Sequence, residues 1–374
     1  MAIALTGARI FDGDAFHEGK AVLIEGGRIT GIVEVAQLAG DVRPIALGGG
    51  LLAPGFIDVQ VNGGGGALLN SAPTVECVQQ IAKSHRKFGT VGMLPTVITD
   101  RPEVTTAAIA AVREARASVP ELLGIHVEGP FLDPARKGAH EAHLIRPREE
   151  ADITLLTEAK CGVLMVTVAP NRVEARMIRR LAQAGVRVSL GHAEARFAEA
   201  RAALDAGATA FTHLYNAMSQ LTGREPGMVG AALSDEKSFI GIIADGHHVH
   251  DVSLWLAFAT TPLSRFILVS DAMPPAAGGP DQFLLQGRMV TRVKGRLQLD
   301  DGTLAGSNLT MDEAVRHCVG KLGVPLAAAL QMASRNPARF LGLDDLGVIA
   351  PGARASLVHL DDDLAVKQTW VDGQ

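Results

Sequence analysis

Only three cysteines occur, Cys77, Cys161 and Cys318, and no two of them form a C-x-x-C pair. A disulfide framework and a thiolate zinc knuckle are thereby excluded, and a reducing compartment is expected. Aromatic residues are also scarce, at 4% with two Trp and one Tyr, so the core must be packed from Ala, Val, Leu and Ile. No window approaches the roughly 18 apolar residues of a membrane span. The N-terminal MAIALTGARIFDGDAF has no basic leader and reaches Asp12 and Asp14 early, so no membrane association and a cytoplasmic location are expected. Basic excess is missing too. Lys and Arg number 35 against 40 Asp and Glu, a net charge of −5, with no run of five or six basic residues; nucleic acid is therefore not an expected partner.

What is present is 374 residues, 47% hydrophobic and 20% charged, with 41 Gly and 18 Pro. This is the composition of a folded globular chain with many turns. Residues 2–48 hold short β-type runs, ALTGARIF, AVLIEGGRITGIV and RPIALG, and the same pattern returns from about Gly347. Between them alternate eight apolar runs, GFIDVQ, VGMLPTVI, LLGIHVE, VLMVTVAP, VRVSLGH, ATAFTH, FIGIIAD and RFILVSD, with helix-like segments such as TVECVQQIAKSHRKFG and AEARFAEARAALDAG. Eight strand and helix units of this length predict a (β/α)8 barrel over 53–347. A small β-sandwich is expected from both termini, 1–52 and 348–374. The segment FLLQGRMVTRVKGRLQLDDG after the eighth strand predicts a β-hairpin over the barrel mouth.

Reactive groups of such barrels sit at the C-terminal ends of the strands. Gln60 and Asn62 end the first strand, Glu128 the third, His192 the fifth, His213 the sixth and Asp271 the eighth. A lone strand-end His usually does no more than hydrogen-bond within the wall. Glu128, His192 and His213 together supply one carboxylate oxygen and two imidazole nitrogens, a donor set suited to Zn²⁺ or Fe²⁺ with a position left open. Asp271 beside them is the expected general base; its alternative is a cap on the turn that follows. His140, in ARKGAH, could approach a scissile carbonyl, while Arg224, in TGREPG, and His248, in DGHHVH, could bind an anion. His126 shares a face with Glu128 and is expected to hydrogen-bond inside the barrel. The glycine run at 63–66 lacks the lysine and helix of a phosphate loop, which argues against nucleotide binding.

The segments PGFIDVQVNG, HVEGPF, KGAH, SLGH, FTHLYNAMSQLTGREPG, GIIADGHHV, VSDAM and GTLAGSNLTM resemble, in order and nearly end to end, the N-acetylglucosamine-6-phosphate deacetylases of the amidohydrolase superfamily. The resemblance implies hydrolysis of N-acetyl-D-glucosamine 6-phosphate to glucosamine 6-phosphate and acetate, with N-acetylgalactosamine 6-phosphate as the alternative substrate. It implies that Glu128, His192 and His213 hold the metal, that Asp271 is the catalytic acid and base, and that His140 polarises the carbonyl. Ala139, Asn216 and Ala217, with Leu304, Ala305 and Gly306, would hold the sugar, Arg224 and His248 the phosphate, and a homodimer is implied. Many superfamily members carry H-x-H on the first strand, whereas this chain has Gln60-Val61-Asn62. Neutral amides are poor transition-metal ligands, so one divalent ion is expected, Zn²⁺ before Fe²⁺ or another transition metal. Competing readings are cleavage of a cyclic amide, a metal-free glycosidase using Glu128 and Asp271 as paired carboxylates, and a noncatalytic sugar-phosphate binder.

Overall fold

The computed structural model describes residues 2–374. Its centre is an eight-stranded parallel sheet running in chain order: Phe56–Val61, Thr90–Ile98, Gly124–Glu128, Val163–Val168, Arg187–Leu190, Ala210–Phe211, Phe239–Ile242 and Phe266–Leu268. Each coincides with one of the eight apolar runs. The first and second strands are buried at every residue, as expected when helices cover one face and the barrel interior the other. The sixth strand keeps only Ala210 and Phe211 in its ladder, because the chain turns into left-handed conformations immediately beyond.

The helices follow the local chemistry. Val75–Arg86 starts at Thr74, whose side chain accepts from Cys77 N at 3.3 Å. It buries Cys77, Val78, Ile81, Ala82 and His85, the spacing of one helical face. Met311–Gly320 opens on a capping box between Thr310 and Glu313, which satisfies two otherwise orphaned amides. No helix among the described residues is long and apolar enough to cross a membrane.

First and last barrel strands meet without a regular ladder. They are joined by a single bridge, Val61 to Ala272, and by backbone bonds from Asp271 N to Gln60 O (2.9 Å) and from Asn62 N and Gly63 N to Ala272 O (2.9 and 2.8 Å). At this seam the buried Asp58 carboxylate accepts from Gln60 N at 3.1 Å and from Ser270 N at 3.2 and 3.3 Å.

Two further sheets lie beside the barrel. One, of four strands, comes from residues 3–46. The other interleaves the ends of the chain: Leu51–Pro54 pairs in parallel with Arg9–Phe11 and antiparallel with Leu357–Leu360, which in turn pairs with Val366–Trp370. Leu5, Ile10, Val22, Leu52, Leu357 and Trp370 form a core of their own between them. The strand Leu51–Pro54 thus runs two residues past the expected boundary at 52 and leads directly into the first barrel strand. The insertion after the eighth strand corrects the expected hairpin: it is a three-stranded meander, Gln282–Leu285, Arg288–Val293 and Arg296–Gln298. The third strand arises because Lys294-Gly295 makes a second tight turn with both residues at positive φ.

Candidate active site

Five non-glycine residues at the C-terminal strand ends adopt positive φ: His192 (47°), His213 (33°), Tyr215 (74°), Ala217 (47°) and Asp271 (51°). Such conformations cost on the order of 1 kcal/mol or more each and persist only where surroundings impose them. Their concentration around one cavity marks it. That cavity, of about 650 Å³, is lined by Glu128, Ala139, His140, His192, His213, Asn216, Ala217, His248, Asp271, Leu304 and Gly306, with Arg136, Lys137, Asp301 and Thr303. A larger one of about 810 Å³ opens near the N-terminal ends of the fifth to seventh strands and holds none of the candidate groups.

Glu128 Oε1, His192 Nε2 and His213 Nε2 form a near-equilateral triangle with sides of 3.2, 3.1 and 3.0 Å. Three donors spaced this closely, two imidazole nitrogens and one carboxylate oxygen, are spaced as the corners of a tetrahedral zinc site would be, and would hold such an ion. Arg136 O can only accept, so His192 Nδ1, 3.0 Å away, donates to it and Nε2 presents its lone pair inward. Two imidazole nitrogens facing one carboxylate oxygen at this range suit a cation between them. His140 forms a second, looser grouping with Glu128 and His192, with donor atoms within 4.8 Å; the tighter triangle is the better fit.

Burial pushes the Glu128 carboxyl up, but the two imidazoles that face it, His192 and His213, outweigh this and hold the group well below the usual carboxylate range. Burial pushes the Asp271 carboxyl up to about 6, with the nearby Glu128 charge acting in the same direction. Burial, reinforced by His192, lowers the His140 imidazole well below its usual value, so His140 is neutral there. Its ring lies edge-on to His192 at 4.4 Å between centroids, and its buried Nδ1 has no partner among the described residues.

Gln60 and Asn62 do reach the site, as donors. Asn62 Nδ2 donates to Asp271 Oδ1 at 2.6 Å, and Gln60 Nε2 donates to the same oxygen at 3.2 Å and to Glu128 at 3.3 and 3.4 Å. Both amides are engaged at Oδ1, which leaves Asp271 Oδ2 for a proton. Asn216 is held by its Nδ2 donating to His213 O and Leu214 O. His248 is aimed by Asp245, whose Oδ2 is 2.7 Å from His248 Nδ1. Gly306, at φ +62°, is required, since a Cβ there would meet Met273 Cγ at 2.6 Å and Asp271 O at 2.8 Å. Ala305 is fully buried beneath the wall. Arg224, expected to hold the phosphate, is exposed on its loop and absent from the wall of this cavity, because TGREPG turns outward before the helix Gly227–Ser234. His126 lies one layer below Glu128, its Nε2 2.7 Å from Thr167 Oγ1, and Thr167, Thr212 and Ser189 continue as a hydroxyl chain.

Sequence reasoning passed over Arg136, Lys137, Asp301, Thr303 and Asp58. The last had a visible signal, a carboxylate inside an apolar strand two residues before Gln60. Burial pushes its carboxyl up to about 7, against the hydrogen bonds from Ser270 and Gln60.

Residues 51–374 match the amidohydrolase family and residues 3–52 the NagA composite domain. The chain is 42% identical over 371 residues to the N-acetylgalactosamine-6-phosphate deacetylase of Shewanella sp. strain ANA-3, covering 98% of this chain and 94% of that one. It is 33% identical to the N-acetylglucosamine-6-phosphate deacetylase of Haemophilus influenzae, over 95% of this chain and 94% of its relative. The crystal structure of N-acetylglucosamine-6-phosphate deacetylase from Pasteurella multocida superposes with a TM-score of 0.97 at 34% identity, covering 100% and 99% of the two chains.

Proposed function

Because the chain belongs to the amidohydrolase family, we propose that it is a metal-dependent enzyme that hydrolyses N-acetyl-D-glucosamine 6-phosphate to D-glucosamine 6-phosphate and acetate. The observation that carries this reading is the triangle of Glu128, His192 and His213 in one cavity with the Asp271 carboxylate and neutral His140. Two nitrogens and one oxygen favour a single Zn²⁺, with Fe²⁺ as the alternative. When bound, the ion supplies Lewis-acid charge to the amide carbonyl. Asp271 Oδ2 takes the proton of the attacking water, while Oδ1 stays anchored by Asn62 and Gln60. Neutral His140 keeps an N–H to donate to the carbonyl oxygen as negative charge develops. Asp271 then returns its proton to the amide nitrogen, so that the C–N bond breaks with an amine as leaving group. Nothing in this sequence needs a glycosidic bond, and both strand-end histidines have a task that a carboxylate-pair glycosidase would leave idle.

An acetate-release assay on the sugar phosphate, joined to metal analysis of the same preparation, tests the reading. Activity should track about one ion per chain and vanish on chelation. Full activity without metal, or two required ions, would refute it. N-acetylgalactosamine 6-phosphate, the C4 epimer, presents the same amide, and the 42% identical relative carries that substrate in its name. The ratio of kcat/KM on the two epimers decides between them: a tenfold or greater preference for the galacto sugar, about 1.4 kcal/mol, would transfer the assignment.

The phosphate is assigned to His248, which lines the cavity, and to Arg224. With Arg224 outside its own chain's cavity, that role requires a second copy to bring the loop across, which suits the expected homodimer. Leu221 on this loop and Val252, Trp255 and Leu256 on the helix Asp251–Thr260 are each more than half exposed, and Tyr215 Oη donates to Ser253 O, tying loop to helix. An apolar surface of this kind suits a subunit contact. Arg224→Ala should raise KM for the phosphorylated sugar on the order of ten- to a hundredfold, the worth of a charge-assisted contact, and leave the unphosphorylated sugar unchanged. Equal loss on both sugars, or on neither, removes Arg224 from the phosphate site. The cytoplasm is the proposed location.

A further inference from the structure

Asp58 has no place in the chemistry above, yet it is a fully buried carboxylate whose bonds converge on the peptide units flanking Asp271. Ser270 N donates to both of its oxygens, at 3.2 and 3.3 Å, and Gln60 N to Oδ1 at 3.1 Å. The other side of the same segment is held from the loop after the meander. Ser307 Oγ donates to Ser270 O at 2.5 Å, and Ser307 N donates to Asp271 O at 2.8 Å. Asp271 N itself donates to Gln60 O at 2.9 Å. Every backbone polar group from Ser270 N to Asp271 O therefore has a partner across the seam or in the loop. This is the over-determination that a left-handed aspartate at φ 51° needs in order to persist.

We propose that Asp58 is a positioning residue for the hydrolysis: by accepting the amide hydrogens of Gln60 and Ser270 across the seam it fixes the backbone from which the Asp271 carboxylate is aimed. The seam has one ladder bridge and three backbone bonds, so the bonds that Asp58 accepts reinforce a register that regular sheet pairing holds at few points. Gln60 doubles the effect, because its side chain donates to both Asp271 and Glu128 while its main-chain N–H is held by Asp58. An apolar residue at 58 would take the side-chain acceptor from two buried N–H groups, those of Gln60 and Ser270. The inference rests on Asp271 being the base.

The test is Asp58→Asn, which keeps the side-chain volume and one acceptor but removes the charge and sets an NH₂ against the Ser270 N–H in place of Oδ2. Expected is a fall in kcat of about ten- to a hundredfold, as for a misplaced catalytic group, with KM within about threefold and metal content unchanged. In an Asp271→Asn background the same substitution should add nothing, because its effect passes through the group already removed. Unchanged kcat in Asp58→Asn, or an equal further loss in the Asp271→Asn background, overturns the proposal. Should Asp58→Asn fail to fold, Ser307→Ala at the opposite side of the segment decides: a loss of about three- to tenfold confined to kcat supports it, and an unchanged kcat overturns it. If Asp271→Asn were itself active, the assignment of the base would fail first; an inactive Asp271→Asn beside a normal Asp58→Asn rejects the positioning role alone.

Discussion

Asp271→Asn is expected to lower kcat by on the order of 10²- to 10⁴-fold, with folding, metal content and KM nearly intact. The direction follows from the two amide donors. Asn62 Nδ2 and Gln60 Nε2 both donate to Oδ1, so an asparagine at 271 must set its own carbonyl oxygen there. Its NH₂ then occupies the place of Oδ2. A proton acceptor facing the water becomes a donor, without any change of volume that would disturb the packing. Steady-state kinetics at saturating substrate give the answer; a variant within a few-fold of the unmodified enzyme would reduce Asp271 to a backbone turn held by Gln60 and Ser307.

His213→Ala is the second large effect. It removes one corner of a triangle whose sides are 3.0 to 3.2 Å. Loss even of an outer-shell partner typically costs 10- to 100-fold in metal affinity, so loss of a ligand should cost at least about a hundredfold and yield protein stripped of its ion by dialysis. His140→Ala belongs in the same experiment. If the triangle is the site, His140→Ala keeps its ion and loses rate; if the looser set of Glu128, His140 and His192 is the site, the two variants exchange behaviours. Elemental analysis after dialysis separates these outcomes without reference to activity, and the unmodified protein should melt higher with metal than without, since a ligand that binds only the folded state stabilises it.

The barrel was legible because each of its strands is an apolar run closed by a polar residue, and that grammar is local. GFIDVQ, LLGIHVE and VRVSLGH announce both the strand and the group at its mouth. The cluster of Glu128, His192, His213 and Asp271 was legible for the same reason, since a fold that opens at the C-terminal strand ends turns sequence position into spatial position. What depends on distant backbone was not legible. Asp58 is explained by Ser270 N, 212 residues away, and no periodicity points to a bond between a side chain and a remote amide. The strand Arg296–Gln298 was hidden in a segment read as one hairpin, because three residues are too few for alternation to show and neither turn, Gln286-Gly287 or Lys294-Gly295, carries the Asn-Gly or Asp-Gly signature. The sequence offered Arg224 as an anion-binding loop residue, but the direction in which an exposed loop turns is set by packing around it and is not written in the motif.

The sheet that joins Leu51–Pro54 to Leu357–Leu360 has a consequence for the order of events on the ribosome. Roughly 300 residues separate the paired strands, which at about 5–20 residues per second means some 15 to 60 seconds of synthesis. Through that interval the hydrophobic Leu51, Leu52 and Ala53, buried in the finished protein, have emerged while their antiparallel partner does not yet exist. The four-stranded sheet from residues 3–46 pairs only within the first of the chain to appear and can close early. The sheet that interleaves the two ends is necessarily one of the last things to form, and it ties down the segment that enters the first barrel strand. Folding of this enzyme therefore closes late, with a clasp: the strands Leu357–Leu360 and Val366–Trp370 complete the sheet from which the strand carrying Asp58, Gln60 and Asn62 begins.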